Sequence, residues 1–342
     1  MIDLRSDTIT KPTPEMREVM TQAKVGDDVY GEDPTVNKLE DKASKIFGMD
    51  SALFVPSGTM GNQIAINIHT QPGSEVILDS ESHILNFELA TMAKFSGAIP
   101  RSIDTHENYL PIDKVDEAVR PEKYYISPTD LVTIENTHNM KGGVIYPEGK
   151  LKELIKFTKK EEIPIHLDGA RIFNASIALG KSVKKITQGI NSVMFCLSKG
   201  LGAPIGSMLV GNQEFIKKAR KIRKQLGGGM RQVGIIASAG IYALENHVDR
   251  LKEDHENALI LARKLRDLKG IKVQIPETNI VMLQLEKISL GAEELVSKLR
   301  EEGVLVGTMG KKKIRLVTHL DVTREEVEEA SGIISSTIKK VT

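Results

Sequence analysis

Ile163-Pro-Ile-His-Leu-Asp-Gly-Ala-Arg171 and Ser192-Val-Met-Phe-Cys-Leu-Ser-Lys-Gly-Leu-Gly202 are the stretches on which the reading of this chain turns. Each is an apolar run too short for a helix and closed by polar residues beside a glycine, the pattern of a buried strand that opens into a loop. The first delivers a carboxylate, Asp168, to a strand end. The second delivers a primary amine, Lys199.

Working outward, further strand-like runs are predicted at 52–55, 75–78, 98–103, 131–135 and 207–210, beside 164–167 and 193–197. Helical stretches lie between them. That alternation predicts an α/β fold whose large domain is a doubly wound, mostly parallel seven-stranded sheet. The clearest helix is Thr35-Val-Asn-Lys-Leu-Glu-Asp-Lys-Ala-Ser-Lys-Ile-Phe-Gly48. Val36, Leu39, Ala43, Ile46 and Phe47 share one face, with Thr35 expected as the cap and Gly48 as the stop. Thr13-Pro14 marks another helix start. Beyond about residue 245 the pattern changes to a long helix near 248–268, strands at 271–275, 279–285 and 313–317, and helices from Ala292 and Thr323. This predicts a small α+β C-terminal domain. The expected division is an N-terminal segment 1–15, a large domain 16–246 and a small domain 247–342.

The 342 residues include 47 basic and 46 acidic side chains, for a formal net charge of +1. A balance that close gives no electrostatic case for nucleic acid or an anionic membrane. Lys311-Lys312-Lys313, the tightest basic run, reads as a solvated turn. The one cysteine, Cys196, sits in an apolar run and cannot form an intrachain disulfide. The first residues lack the apolar core of a signal peptide, and the apolar stretch 234–244 is too short to span a bilayer. A cytoplasmic protein is expected.

A strand-end aspartate followed by a strand-end lysine is the layout of pyridoxal phosphate (PLP) enzymes. There the lysine forms the Schiff base and the aspartate pairs with the pyridinium nitrogen. The competing reading is an ordinary surface lysine. Pro56-Ser57-Gly58-Thr59 follows the 52–55 run at a helix start, where Gly58 and Thr59 can offer amides and a hydroxyl to a phosphate. Taken alone, Ser57-Gly58-Thr59 reads by default as a helix cap. His83, just past a strand end, can stack on a pyridine ring and reach a substrate β-hydroxyl. Arg171 can bond the ring O3′ or a substrate carboxylate. Lys224-Gln-Leu-Gly-Gly-Gly-Met-Arg231 is equally a phosphate loop and an interdomain turn. Arg315, mid-strand among apolar residues, needs an anion: a substrate carboxylate or an acid of its own domain.

Together these stretches resemble the low-specificity L-threonine aldolase family of PLP enzymes, of fold type I, the aspartate-aminotransferase-like class. The resemblance runs from Ile2-Asp-Leu-Arg-Ser-Asp-Thr8 and Val25-Gly-Asp-Asp-Val-Tyr-Gly-Glu-Asp-Pro34 through Phe54-Val-Pro-Ser-Gly-Thr-Met-Gly-Asn62 and Ile134-Glu-Asn-Thr-His-Asn139. It continues through the two opening stretches and Gly227-Gly-Gly-Met-Arg-Gln232 to Arg315-Leu-Val-Thr-His319. It implies that Lys199 holds PLP, Asp168 pairs with the ring nitrogen, and His83 stacks and acts as base or water-positioner. Gly58 and Thr59 would bind phosphate, joined by Lys224 and Arg231 from a neighbouring subunit of a homotetramer. Ser6, Arg171 and Arg315 would hold the substrate carboxylate, and Tyr30 would line an adjoining site. Tyr125 stands where many relatives carry a histidine near the β-hydroxyl, which leaves threo versus erythro preference open.

The implied reaction is retro-aldol cleavage of L-threonine or L-allo-threonine, a small amino-acid substrate, to glycine and acetaldehyde. The alternatives are β-elimination or transamination on the same fold, and a PLP-binding regulator without turnover. The sequence shows no metal-ligand spacing, so no metal is expected, although Thr8, Thr10 and nearby carbonyls could hold an adventitious cation.

Overall fold

The computed structural model describes residues 1–341. Seven strands form the central sheet: β1 (Ser51–Val55), β2 (Glu75–Asp79), β3 (Ile99–Ile103), β4 (Thr129–Glu135), β5 (Ile165–Asp168), β6 (Ser192–Cys196) and β7 (Ser207–Gly211). Their order is β1-β7-β6-β5-β4-β2-β3, and β7 alone runs against the rest. The seven predicted runs are these strands, with shifts of a residue or so at the ends.

Strand periodicity explains why the runs are continuously apolar rather than alternating. Ala52 and Phe54 of β1, Val193 and Phe195 of β6, and Val132 and Ile134 of β4 face one core. Leu53, Val55, Met194 and Cys196 face another on the opposite side. A sheet buried on both faces needs apolar residues at both parities. Helices α1 (Pro14–Thr21) and α2 (Pro34–Phe47) pack on the first face, and α3 (Gly58–His69) on the second. Phe47 of α2 stacks on Phe195 at 4.9 Å, and Phe173 meets Phe195 edge-on at 5.4 Å. These contacts pin the strand that leads into Lys199, each contributing about 1 kcal/mol beyond its buried area.

The cap of α2 differs from expectation. Asp33, not Thr35, is the N-cap; its carboxylate accepts from the amides of Thr35 and Val36, and Pro34 takes the first turn. The Thr35 hydroxyl donates instead to the Lys24 carbonyl. Gly48 ends the helix in the left-handed region as predicted, at φ 64°.

After α4 (Gly234–Asn246) and α5 (Leu251–Leu265), a second sheet forms from β8 (Ile271–Gln274), β9 (Ile280–Leu285), β10 (Gly307–Thr308) and β11 (Lys313–Val317). Its order is β10-β11-β9-β8. Helices α6 (Ala292–Glu301) and α7 (Arg324–Val341) pack on it. The chain start joins this layer: Ile2–Asp3 pairs in parallel with Val304–Leu305, and Ile2 and Leu4 enter its core. Sequence reading missed these two short strands and β10. No helix among the described residues is long and apolar enough to cross a membrane.

Candidate active site

Parallel strands end on one side of the sheet, where side chains at their C-terminal ends converge. Asp79, Glu135 and Asp168 are the last residues of β2, β4 and β5, and Lys199 lies three residues past the end of β6. There the surface folds into a cleft of two hollows, each of about 330 Å³. Thr8, His83, Asp168, Ala170 and Lys199 line both. One hollow continues to Ser57, Gly58 and Thr59; the other continues to Ser6, Asn139, Arg171 and Arg315. Larger hollows of about 610 and 650 Å³ lie elsewhere but hold no such convergence.

The first lobe is built by the start of α3. Ser57 is its N-cap, with Oγ accepting from the Met60 amide at 3.2 Å. The amides of Gly58 and Thr59 follow at a helix N-terminus, where dipole and unpaired N–H groups favour an anion. Gly58 packs closely there: a Cβ would sit 3.1 Å from Cys196 Sγ and from Met194 Cε, so those side chains would have to give way. The helix start therefore lies directly against the strand that carries Lys199.

The second lobe is assembled from four distant segments. Arg171 is buried and donates through Nε and Nη2 to Asp7, at 2.7 and 2.6 Å. Burial alone would raise the Asp7 carboxyl, but the Arg171 guanidinium holds it down at about 2. Arg315 donates through Nη1 to Asn139 Oδ1 at 2.6 Å and through Nη2 to the Arg5 carbonyl at 3.2 Å. Its Nε is buried without a partner. Burial, and then the like charge of Arg171, push Arg315 down to about 10. Among the described residues it has no carboxylate partner, so the alternative of an ion pair within its own domain is not what the fold provides. A cation so placed fits an incoming carboxylate.

Between the lobes, Asp168 Oδ2 accepts from Asn62 Nδ2 at 2.9 Å and Oδ1 from the Ala170 amide at 3.1 Å. His83 Nδ1 lies 3.1 Å from Glu88 Oε1, and its backbone amide donates to Glu135 at 2.8 Å. Burial disfavours the His83 imidazolium, yet the hydrogen bond to Glu88 and the charge of Asp168 outweigh it and raise its pKa. The Phe87 ring lies 5.5 Å from that imidazole.

His83, Glu88 and Asp168 bring possible ligand atoms within 4.8 Å of one another, a grouping that residue spacing did not suggest. Their oxygens already accept from the Asn62 and Gln63 amides.

The set fits PLP: an amine for its carbonyl, a carboxylate for its ring nitrogen, helix amides for its phosphate, and a buried cation with an unpartnered nitrogen for a substrate carboxylate. Lys224, Arg231, Tyr30 and Tyr125 do not line this cleft within one chain. Arg231 pairs with Asp27 at 2.8 Å and sits 5.9 Å from the centroid of the Tyr30 ring. Tyr30 and Tyr125 are 74% and 67% exposed. Sequence reading missed Asp7, Asn62, Glu88, Glu135 and Asn139. Only Asp7, Asn62, Glu135 and Asn139 lay within motifs it had singled out.

Topology and site together define a fold-type I PLP enzyme. A threonine aldolase structure from Leishmania major shares the fold, with a TM-score of 0.84 at 19% identity, covering 99% of this chain and 100% of that one. The beta-eliminating lyase family matches residues 3–288. The low specificity L-threonine aldolase of Escherichia coli K12 is 45% identical over 97% of this chain and 98% of its own. The low-specificity L-threonine aldolase 1 of Arabidopsis thaliana is 43% identical over 95% and 93%. The chain belongs to the low-specificity L-threonine aldolase family.

Proposed function

We propose that this protein is a PLP-dependent carbon–carbon lyase that cleaves L-threonine and L-allo-threonine to glycine and acetaldehyde. The observation that carries the reading is the two-lobed cleft, with a helix N-terminus in one lobe, an acid-free arginine in the other, and Lys199 and His83 lining both. Bound there, PLP supplies the sink for the electron pair released when the Cα–Cβ bond breaks.

This chain's residues do the rest. Lys199 provides the amine to which the cofactor is joined, and Asp168 holds a proton on the ring nitrogen. Gly58 and Thr59 bind the phosphate. Ser6, Arg171 and Arg315 hold the substrate carboxylate and so orient the bond that breaks. His83, directly or through a water it holds, takes the β-hydroxyl proton. That proton removal accompanies bond cleavage, because a hydroxyl is far less acidic than an imidazolium.

A homotetramer in which Lys224 and Arg231 reach a neighbour's phosphate lobe, and Tyr30 and Tyr125 its substrate lobe, is supported by the position of all four outside this chain's own cleft. We read residues 16–246 and 247–342 as two domains, with 1–15 an N-terminal segment whose first residues pair with the second; Thr342 lies outside the described residues. Cytoplasmic residence suits the single buried free cysteine, Cys196.

The test is acetaldehyde release by the PLP-loaded protein from each threonine isomer, with pyruvate assayed in parallel. Acetaldehyde and glycine are expected, and the ratio of the two rates measures preference at Cβ. Pyruvate without acetaldehyde would replace this reading with β-elimination.

A further inference from the structure

Glu88 lines neither lobe of the cleft, yet its carboxylate gathers three polar side chains of the site, Asn62, Gln63 and His83. Its side chain is fully buried. Oε1 accepts from Asn62 Nδ2 at 2.8 Å and lies 3.1 Å from His83 Nδ1, while Oε2 accepts from Gln63 Nε2 at 2.6 Å. A carboxylate surrounded by donors on both oxygens can only accept.

The direction of each bond follows from Asn62. Its amide nitrogen has two hydrogens, and two carboxylate oxygens stand within reach, Glu88 Oε1 and Asp168 Oδ2. Turned over, the amide would aim its oxygen at both acids, so the orientation is fixed. Asn62 Oδ1 must then accept from His166 Nε2, 3.0 Å away. His166 Nδ1 in turn accepts from Ser192 Oγ at 2.9 Å, and that oxygen lies 2.9 Å from His69 Nε2. Burial pushes His166 down to about 3 and His69 to about 4, so both are neutral and can hold the tautomers this chain requires. With Asn62 locked, Glu88 Oε1 has one remaining partner, the Nδ1 proton of His83.

The geometry points to Glu88 as the positioning residue that makes His83 a base: it fixes the proton on Nδ1 and leaves Nε2 as the one ring nitrogen able to take another. No protein group bonds that Nε2 among the described residues. Because Asn62 also holds Asp168, the partner proposed for the ring nitrogen and the partner of the base share one amide. The inference deepens the aldolase reading and rests on it for the role of the proton, but the tautomer and titration of His83 do not depend on the reaction.

The experiment is a histidine titration of the holoenzyme with 13C-labelled imidazoles. His83→Asn identifies the His83 signal among the eight histidines. In the wild type His83 should appear as the Nδ1-protonated tautomer when neutral. In Glu88→Gln its midpoint should move to lower pH, because the charge favouring the imidazolium is gone.

The base must be neutral to act, so activity falls as pH drops through the His83 midpoint. The acid limb of the kcat profile should therefore move to lower pH in Glu88→Gln, while the plateau falls about tenfold because the base is weaker. KM and the absorbance of bound cofactor should hold, whereas a merely structural defect would lower activity without moving the limb.

If Glu88→Gln does not fold, the double variant Glu88→Gln/Gln63→Glu carries the test, since it keeps a carboxylate and an amide in the pair but takes the charge off His83. Its His83 midpoint should also fall. An unmoved midpoint in either variant overturns the inference. A lowered midpoint in a protein that releases no acetaldehyde would sink the aldolase reading and leave this one standing.

Discussion

The lobe at the start of α3 and the lobe that holds the two arginines meet at Lys199, but they are built by different means. In the first, the groups that can receive an anion come from one local segment: a strand, a cap at Ser57, and the free amides of a helix whose Gly58 packs on the strand beside it. The second draws Ser6 and Asp7 from the chain start, Asn139 from past β4, Arg171 from past β5 and Arg315 from β11. Helix-end dipoles are what the one offers an anion, and a desolvated guanidinium without an acid partner is what the other offers. Helix-end dipoles contribute in small, redundant increments, while a buried unpaired cation has few substitutes. Perturbations should therefore be graded by lobe.

Lys199 belongs to both lobes, so its loss should be the most severe. Lys199→Ala should lower kcat/KM on the order of ten-thousandfold, since nothing else in the cleft offers a primary amine. Cofactor should still bind the α3 lobe without a covalent link. Borohydride reduction followed by peptide mass should find the pyridoxyl group on Lys199 in the wild type and on no peptide of the variant. A pyridoxyl adduct on another lysine would sink the assignment.

Arg315→Ala should act on the second lobe alone. Deleting a charged donor from a buried site costs about 3 kcal/mol, or roughly 100-fold in kcat/KM, carried mainly by KM. Cofactor affinity should not change. Arg171 is the poorer probe, because its removal also strands the buried Asp7 carboxylate and would confound binding with folding. An Arg315→Ala enzyme with unaltered KM would mean that the carboxylate lies elsewhere.

What the sequence made legible follows the same division. Asp168 and Lys199 sit at ends of apolar runs whose glycines announce a loop, and the central sheet follows from those runs. Partners that arise only when separated segments meet left no local signal. Asp7 meets Arg171 across the molecule, Ile2–Asp3 pairs with a strand near the other end of the chain, and Glu88 sits in the bend between the short helices His83–Asn86 and Thr91–Ser96. One miss was avoidable. Pro34 favours the first helical position, which puts the cap at Asp33 rather than at Thr35. Tyr30, Tyr125, Lys224 and Arg231 are exposed and lie outside the cleft that their own chain forms.

The smallest effect expected is in the first lobe, at Thr59, and it separates two neighbouring hydroxyls. Ser57 Oγ is committed to the helix cap, whereas the Thr59 hydroxyl has no partner among the described residues and lines the lobe. Thr59→Ala should therefore remove one of several phosphate donors. That costs about 1 kcal/mol, a roughly fivefold weakening of cofactor affinity, with kcat at saturating cofactor unchanged. Ser57→Ala should instead cost about 1 kcal/mol of folding stability, seen as a lower melting temperature. Cofactor titration and thermal unfolding of both variants give a two-by-two comparison. If Thr59→Ala lowers the melting temperature and leaves cofactor affinity untouched, the hydroxyl belongs to the helix, and the phosphate rests on backbone amides alone.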